Sequence, residues 1–595
     1  MMKMYFYLLD LYLITITTID YMKRSAISFL LIVFFSGALF AQTKELDIKL
    51  IHTSDLHGRF FSYDMIKDLP TNGGMARICT YVKEQRANYP GRVLLLDGGD
   101  LLQGQPGVYY YNYKDTISPH FCAEVMNYMK YDAIALGNHD IEAGHSVYDR
   151  WMKQCKAPIL GANILRKDGT NYLQPYKTFV LDGVKVTVLG LITPSIPAWV
   201  PEKAWKGLQF DDMEKSARYW MKIIKEKEHP DIVIGLFHSG IIPYQMGGLF
   251  NENASAEVAK NVPGFDVVLA GHDHAPYCKK LVNVAGDSVL VIDPAEGGFR
   301  VSDIVLHLKM QDGKVVGKCA KGRLIKMKKY APDVDFQSQF LSQFEKAKAF
   351  VNKPIGQFKN SISVRDAYFG PSAFVDLVHK IQLDITGADV SFDAPFSLEG
   401  SIDKGKVCVH DMFKLYEFEN SLYTIWLTGT EIKNYLEMSY SLWINQMKSP
   451  DDNLLLLRRR EYDHTIEFQN YSYNFDSAAG IIYTVDVTKP YGERVSIKKM
   501  ANGKPFDLNK KYKVAINSYR ASGGGDHLTK GAGIPHNALR DRVISTTSED
   551  MRFLIMEWIE KKGTISPKPL NQWKFIPEDW VNAAAEKDKK LLFKE

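Results

Sequence analysis

Five short apolar runs in the first half of the chain each end at polar side chains that can bind a metal ion. The runs and the groups that follow them are Leu46–Thr53 with Asp55 and His57, Val93–Leu96 with Asp100, Ala133–Leu136 with Asn138, His139 and Asp140, Ile232–Phe237 with His238, and Val267–Ala270 with His272 and His274. Segments of helical periodicity such as Met213–Lys227 separate them, which predicts an α/β domain with strands buried on both faces. Ligands of open α/β sheets lie beyond the carboxyl ends of the strands, so we expect one crevice to gather all five groups.

The common placement of these groups is stronger evidence than any one of them. A single histidine after a strand is more often a satisfied core or surface side chain, and a lone Gly-Asn-His is usually a turn. Here five such blocks follow one another, and each stands beside glycine: Gly58, Gly98, Gly99, Gly137, Gly240 and Gly271. Carboxylate, imidazole and amide groups together suit zinc or manganese rather than copper or iron–sulfur clusters. Two ions about 3.5 to 4 Å apart need a bridging carboxylate, and Asp100 has that place in the order.

The blocks SDLHG, DGGDLLQG, GNHDIE, FHSG and GHDH resemble the metallophosphoesterase motifs of the secreted 5'-nucleotidases, UDP-sugar hydrolases and 2',3'-cyclic-nucleotide phosphodiesterases. The likeness extends over residues 47–528 and implies two divalent metal ions, zinc or manganese first, with magnesium, cobalt or calcium as the other candidates. It implies that a metal-activated water attacks phosphorus in line, without a covalent intermediate. The residues it assigns are Asp55, His57 and His274 for one ion, Asn138, His238 and His272 for the other, and Asp100 as the bridge.

The same resemblance assigns a catalytic histidine. His139 matches the family residue that stabilises charge on the transferring phosphoryl group or the leaving oxygen. The family places an orienting Asp four residues after the metal-binding Asn, and this chain has Glu142 there. Glu142 therefore either orients His139 or is an ordinary surface acid.

A chain of 595 residues exceeds what one core usually supports, so at least two domains are expected. The resemblance implies a layered α/β/β/α metallophosphoesterase sandwich over residues 42–330, and an α+β substrate-binding domain over 355–562. The repeat of Phe336, Phe340, Phe344 and Ala347 predicts a linker helix within 331–354. In the second domain we predict a helix near Phe374–Ile385 and strands near Ile481–Val487 and Tyr512–Ile516. Residues 563–595 are expected to form a C-terminal extension.

The second domain is expected to select the nucleotide. Phe418 and Asn420 in LYEFENSL, and Tyr519 in NSYRASGGGD, resemble the family's nucleotide-binding loops, in which two aromatic rings sandwich the base. Asp526 stands one residue later than the family's ribose-contacting Asp. The segment SFDAPFSLEGSI lacks the Arg of the 5'-nucleotidases and, with ITPSIPAW and YNFDSAAGIIYTVDVTKP, favours the 2',3'-cyclic-nucleotide 2'-phosphodiesterase/3'-nucleotidase branch. A 5'-nucleotidase/UDP-sugar hydrolase is the alternative.

Two other functions fit the sequence less well than a nucleotide phosphohydrolase. A protein that binds nucleotides without turnover would have lost metal ligands, and all seven are present. A hydrolase of thiosulfate esters would keep the metal centre but would have no use for Phe418 and Tyr519. The small net charge of +5, with both signs interspersed, excludes an electrostatic footprint for duplex nucleic acid. We expect a monomer whose partner is the nucleotide substrate.

The N-terminus has the pattern of a secretory signal. Lys23 and Arg24 precede the apolar stretch Ala26–Phe40, and the small residue Ala41 follows it, which predicts cleavage after Ala41 and a periplasmic or secreted protein. Residues 1–21 are either an over-long start or a membrane anchor, and no later stretch is long enough to span a bilayer. The basic run at residues 458–460 is predicted to be a solvated loop.

Overall fold

The structure is a computed structural model that describes residues 2, 4, 8, 9, 11, 15–23, 43–243, 251–460 and 464–593. The predicted signal segment lies outside the described residues except for Met22 and Lys23. Within the described ranges, no helix is both long enough and apolar enough to cross a membrane. The chain forms two compact units, a small one from Met1–Asp47 and Leu306–Cys319 and a large one from Ile48–Val305 and Ala320–Glu595. In the small unit, His307 Nδ1 lies 2.8 Å from Asp47 Oδ1.

Two six-stranded sheets form the framework of the N-terminal half. The strands of the first sheet, in spatial order, are Lys314–Lys326, Arg300–Gln311, Lys44–Thr53, Val93–Asp97, Ala133–Ala135 and Ile159–Leu160. Those of the second are Tyr277–Val282, Ser288–Asp293, Val267–Ala270, Ile232–His238, Val184–Ile192 and Tyr176–Leu181. All five metal-site runs are strands, and each pairs in parallel with a neighbour. Their polar residues therefore follow carboxyl ends, as the sequence predicts.

Helices flank these sheets and complete the layered α/β arrangement. They are Met75–Asn88, Pro106–Tyr113, Phe121–Met129, Asn138–Glu142, His145–Gln154, Ile196–Trp199, Met213–Lys227 and Ser255–Asn261. The helix Met213–Lys227 has the predicted bounds, because Asp212 caps it by accepting a hydrogen bond from Lys215 N. Its buried face, which includes Ala217, Met221 and Ile224, packs into the core beside the second sheet.

The predicted linker helix is two helices, Val334–Gln339 and Leu341–Val351. Phe340 lies between them with φ −109° and ψ 14°, outside the helical region. Its ring packs on Phe336, 4.9 Å between centroids, and on Phe121 at 5.5 Å. The aromatic repeat therefore does pack on the first domain, but the helix breaks where Phe340 turns into that core.

The C-terminal half has an α+β architecture around a five-stranded sheet. Its strands, in spatial order, are Ser477–Ala479, Val390–Asp393, Lys511–Asn517, Ser421–Thr428 and Val543–Asp550. The sheet Gly405–Cys408, Pro354–Phe358 and Thr564–Ile565 and the sheet Val495–Met500, Ile481–Asp486 and Trp573–Ile576 accompany it. The main helices are Ala373–Thr386, Val409–Leu415, Gly429–Trp443, Ser518–Ala521, Met551–Lys562 and Glu578–Phe593.

Among the described residues, the remaining strands form four short two-stranded pairs: Tyr63–Asp64 with Leu69–Pro70, Ile164–Arg166 with Leu208–Phe210, Ile362–Ser363 with Ser401–Ile402, and Leu457–Arg459 with Ile466–Phe468. The last pair holds most of the basic run, which is exposed and paired: Arg458 Nε donates to Glu467 Oε1 at 2.9 Å, and Arg460 pairs with the same carboxylate. The run is solvated as predicted, but Arg458 and Arg459 lie in a strand rather than in a loop.

The C-terminal tail is an integral part of the second domain rather than an extension of it. The strand Trp573–Ile576 pairs in parallel with Ile481–Asp486. Trp573, Phe575 and Val581 are buried in the same apolar core as Trp443. The sequence alone did not indicate this, because a parallel partner is contributed here from a distant part of the chain.

Candidate metal centre

One group of metal-capable side chains collects where the first sheet meets the loop after Val267–Ala270. Single ligand atoms of Asp55, His57, Asp100 and His274 all lie within 4.8 Å of one another. The Nε2 atoms of His57 and His274 are 3.0 Å apart. His274 Nε2 is 3.4 Å from Asp55 Oδ1, and His57 Nε2 is 3.9 Å from Asp100 Oδ2.

A second group lies directly beside the first. Asn138 Oδ1 is 3.0 Å from His238 Nε2 and 2.8 Å from His272 Nδ1. His238 Nε2 is also 3.3 Å from Asp100 Oδ2. Asp100 therefore contacts members of both groups, and the structure brings together all seven of the residues named as ligands from the sequence.

The backbone at these strand ends is strained and tightly packed. Asp55, His57, Asp100, His272 and His274 all have positive φ, between 47° and 84°, which few residues other than glycine adopt. Such strain is typical of functional sites that the surrounding structure holds in place.

Two neighbouring glycines are required by this packing. A Cβ at Gly137 would lie 2.1 Å from Asp100 Oδ1, and one at Gly271 would lie 2.0 Å from Ser54 Oγ and 2.7 Å from Asp55 Oδ2. Any side chain at either position would displace these carboxylates. This explains why glycine stands at two of the positions beside the polar blocks.

Each of the four histidines uses its outward nitrogen to contact a fixed partner. His238 Nδ1 donates to Gly98 O at 2.7 Å. His272 Nε2 lies 2.9 Å from a carboxylate oxygen of Glu252, and His274 Nδ1 lies 2.8 Å from one of Glu296. His57 Nδ1 lies 3.1 Å from the amide oxygen of Gln103. Outward partners of this kind fix the ring orientation and the tautomer of metal-binding histidines.

The inward atoms therefore fit a divalent cation. When an imidazole is neutral and its outward nitrogen donates, its inward nitrogen can bind a cation, as can the carboxylate and amide oxygens beside it. Burial, followed by the charge of a protonated His274, lowers the pKa of His57 to about 4, which keeps the ring of His57 neutral. Burial opposes protonation of His274, but Asp55 and Glu296 raise its pKa well above the ordinary value, and a bound cation would take the place of that proton beside Asp55. Burial opposes ionisation of Asp100, but His238 and His139 outweigh it and hold its pKa well below the usual range.

His139 lies at the edge of this group and is held by two contacts. Its backbone N donates to Asp100 Oδ1 at 2.9 Å, and its ring Nδ1 donates to Glu142 Oε2 at 2.6 Å. The longer side chain of Glu142 thus does reach the imidazole. Asp140, to which the sequence gave no separate role, accepts backbone N–H groups of Asp100, Leu101, Leu102 and Gly137 at 2.8 to 2.9 Å and organises the loop that carries Asp100.

Comparison with protein families agrees with this geometry. Residues 48–276 match the family described as calcineurin-like phosphoesterase, and residues 354–530 match the 5'-nucleotidase C-terminal domain. The chain is a two-domain metallophosphoesterase. Proteins of this kind are metal-dependent phosphoester hydrolases, and the fold class implied by the motifs is confirmed.

Relatives of this metallophosphoesterase carry nucleotidase names. The chain is 28% identical over 604 residues to the trifunctional nucleotide phosphoesterase protein YfkN of Bacillus subtilis, covering 91% of this chain but only 40% of that protein. It is 27% identical to the 2',3'-cyclic-nucleotide 2'-phosphodiesterase/3'-nucleotidase of Haemophilus influenzae, covering 91% and 90% of the two chains. A solved 5'-nucleotidase from Staphylococcus aureus has the same fold, with a TM-score of 0.73 at 21% identity over 89% of this chain and 100% of that one.

The nucleotide residues named from the sequence lie on two loops of the C-terminal half. Phe418 and Tyr519 are both half-buried. Asn420 is buried, and its Oδ1 accepts a hydrogen bond from Ser518 Oγ at 3.3 Å, which ties the two loops together. Asp526 has φ 63° and pairs with Lys530 at 2.6 Å. Its carboxylate is thus engaged within its own turn.

Two aromatic residues near these loops were not singled out from the sequence. Trp199, in the ITPSIPAW segment, stacks on His272 with 5.5 Å between ring centroids and 19° between planes. Tyr473 lies next to both Phe418 and Tyr519. Trp199 ends the segment ITPSIPAW, and Tyr473 begins the segment YNFDSAAGIIYTVDVTKP. In the sequence these two segments indicate only a family branch, but the aromatic residue in each was a signal for a place near the nucleotide site.

Proposed function

We propose that this chain is an exported nucleotide phosphohydrolase with a two-metal centre, acting on 2',3'-cyclic nucleotides and 3'-nucleotides. The observation that carries the proposal is the convergence of two ligand groups on Asp100 in a chain whose second domain presents half-buried aromatic residues on two loops. The name of the Haemophilus relative and the absence of an Arg in SFDAPFSLEGSI favour the cyclic-nucleotide branch.

The residues that would hold one ion are Asp55, His57 and His274, those for the other are Asn138, His238 and His272, and Asp100 would serve both. When bound, the ions supply Lewis-acid activation of water and neutralise charge on the phosphoryl oxygens. Zinc or manganese fits this mixed nitrogen and oxygen set best.

His139 and Glu142 would act on the phosphoryl group from the protein side. Because Nδ1 of His139 is used by Glu142, Nε2 is the atom left to donate to a phosphoryl or leaving oxygen. The carboxylate of Glu142 keeps the ring oriented and stabilises its protonated form, in which the charge complements the substrate.

The defining experiment compares 2',3'-cyclic AMP, 3'-AMP, 5'-AMP and UDP-glucose with saturating Mn²⁺ or Zn²⁺. Phosphate release is measured with and without an added phosphatase, which reveals monoester products. Preference for cyclic AMP and 3'-AMP supports the proposed branch. Preference for 5'-AMP or UDP-glucose replaces it with the 5'-nucleotidase/UDP-sugar hydrolase alternative, and no turnover of any of the four overturns the proposal.

Metal stoichiometry and export have separate readouts. Elemental analysis of the purified protein is expected to give two ions per chain, and Asn138→Ala is expected to lower this to about one, because it removes the oxygen shared by His238 and His272. N-terminal sequencing of protein recovered outside the cytoplasm is expected to start at Gln42. A product that retains residues 1–41 contradicts the predicted cleavage.

A further inference from the structure

Three aromatic rings come together where the two nucleotide loops meet. Tyr473 lies 6.1 Å from Phe418 and 6.3 Å from Tyr519 between ring centroids. The planes of both pairs are close to perpendicular, at 89° and 87°. The two rings assigned to the base thus share a third ring that presents itself edge to face to each of them, an arrangement aromatic groups favour.

Tyr473 is rigidly placed by a buried arginine. Arg520, only 1% exposed, donates from Nη2 to Tyr473 O at 2.6 Å and from Nη1 to Asn474 Oδ1 at 3.1 Å. The same guanidinium pairs with Asp476, whose side chain is also 1% exposed. Because Arg520 directly follows Tyr519, one side chain fixes both the loop of Tyr473 and the loop of Tyr519.

The hydroxyl of Tyr473 is influenced by burial and by groups on neighbouring loops. Burial raises the pKa of its hydroxyl well above the ordinary value, and the nearby Tyr519, Tyr471 and Glu252 add to this. Glu252 is the residue that accepts from His272 Nε2. Its other oxygen, Oε2, is buried and has no hydrogen-bond partner among the residues that the structure describes. The helix Ser518–Ala521, which carries Tyr519, packs against Ile196–Trp199, and Trp199 stacks on His272. The aromatic group therefore lies near the predicted metal ligands.

We propose that Tyr473 is a specificity-determining residue, a third ring that contacts the nucleoside edge-on beside the two rings assigned to the base. The inference rests on the proposed function, since it deepens the nucleotide site. The ring adds a third aromatic contact to the base site, so it favours phosphoesters that carry a nucleobase over those that do not. Base–aromatic contacts of this kind tolerate any base, because every base presents a π-face and an edge.

The test compares Tyr473→Ala and Tyr473→Phe with Tyr471→Ala. Tyr471 stacks on Tyr473 at 5.2 Å with 7° between planes and is 65% exposed, so it is a matched control from the same loop. Two substrates are used: 3'-AMP, and glycerol 2-phosphate, a secondary phosphomonoester without a base. Adenosine binding is measured by calorimetry, which needs no turnover.

Tyr473→Ala is expected to raise KM for 3'-AMP and the Kd of adenosine by roughly tenfold or more, while kcat/KM for glycerol 2-phosphate falls less than twofold. Tyr473→Phe keeps the ring and is expected to lose threefold or less, as is Tyr471→Ala. An unchanged Kd for adenosine in Tyr473→Ala overturns the proposal, and so does an equal loss with both substrates, which would indicate a merely structural role. If no nucleotide is hydrolysed but adenosine binding still depends on Tyr473, the proposed function fails and this inference stands.

Discussion

Replacing Glu142 with Gln tests whether this residue orients and charges His139. The carboxylate accepts from His139 Nδ1 at 2.6 Å, and the two side chains are only 11% and 22% exposed. A hydrogen bond to a charged group contributes about 1.5 to 3 kcal/mol, and an amide in its place keeps the contact but loses the charge. At about 1.4 kcal/mol per tenfold, Glu142→Gln is expected to lower kcat by roughly 10- to 100-fold.

The assay is kcat for 3'-AMP at saturating Mn²⁺, with metal content measured on the same samples. Burial opposes protonation of His139, but Asp100 and Glu142 raise its pKa to about 9. Because His139 is charged below its pKa, Glu142→Gln is expected to move the alkaline limb of the pH–rate profile to lower pH.

The matched control is Asp149→Asn, which alters the exposed pair of Asp149 with His145 at 3.0 Å and is expected to leave kcat within twofold. A kcat for Glu142→Gln within twofold of the wild type refutes the role of the pair. A loss that parallels loss of metal places the effect in the metal centre instead.

Two further predictions concern the second domain. Asp476→Asn leaves the guanidinium of Arg520, 1% exposed, without its counter-charge and is expected to destabilise that domain by about 3 to 5 kcal/mol in urea denaturation. Glu467→Gln is the control, because its side chain is half-buried and its partner Arg458 is 59% exposed, and it is expected to cost under about 1 kcal/mol; equal losses would contradict this. Burial raises the pKa of Asp376 from 3.8 to about 6, so its contribution to stability is complete below pH 4 and is lost as pH rises through 6. Asp376→Asn keeps an acceptor for Leu570 N. Relative to wild type, this variant is expected to become more stable as pH rises from 4 to 7. If the free energy of unfolding has the same pH dependence in both proteins, the raised pKa of Asp376 is refuted.

Much of the fold could be predicted from local patterns. The helix Met213–Lys227 and the strand Ile481–Asp486 appear at or within a residue of their predicted bounds, because each has a clear periodicity and its own terminating residues. The linker was predicted less well, since the aromatic spacing marks a buried face but does not reveal that Phe340 leaves the helical conformation. The tail at 564–593 was missed because its pairing partner lies far away in the sequence.

In the candidate site, too, some residues could be named from the sequence and others could not. Asp55, His57, Asp100, Asn138, His238, His272 and His274 could be named from sequence because each follows a strand, and parallel strands bring their carboxyl ends to one edge. That these seven residues bind metal ions stays a prediction. Nucleotide binding by the residues of the second domain and export of the protein are predictions as well. What the sequence left out are contacts between loops: His272 with Glu252, 20 residues apart, and His238 with Gly98, 140 residues apart.

By itself, the sequence determined which chemical groups the chain carries and which strand ends present them, because hydrophobic periodicity and glycine placement are local properties. Only the tertiary structure decided what surrounds those groups. The buried pair of Arg520 and Asp476, 44 residues apart, sets the position of Tyr473, and no local pattern records it. Such contacts depend on how separate loops pack, because a buried charged pair is stable only when close geometry and further hydrogen bonds repay the cost of removing both charges from water.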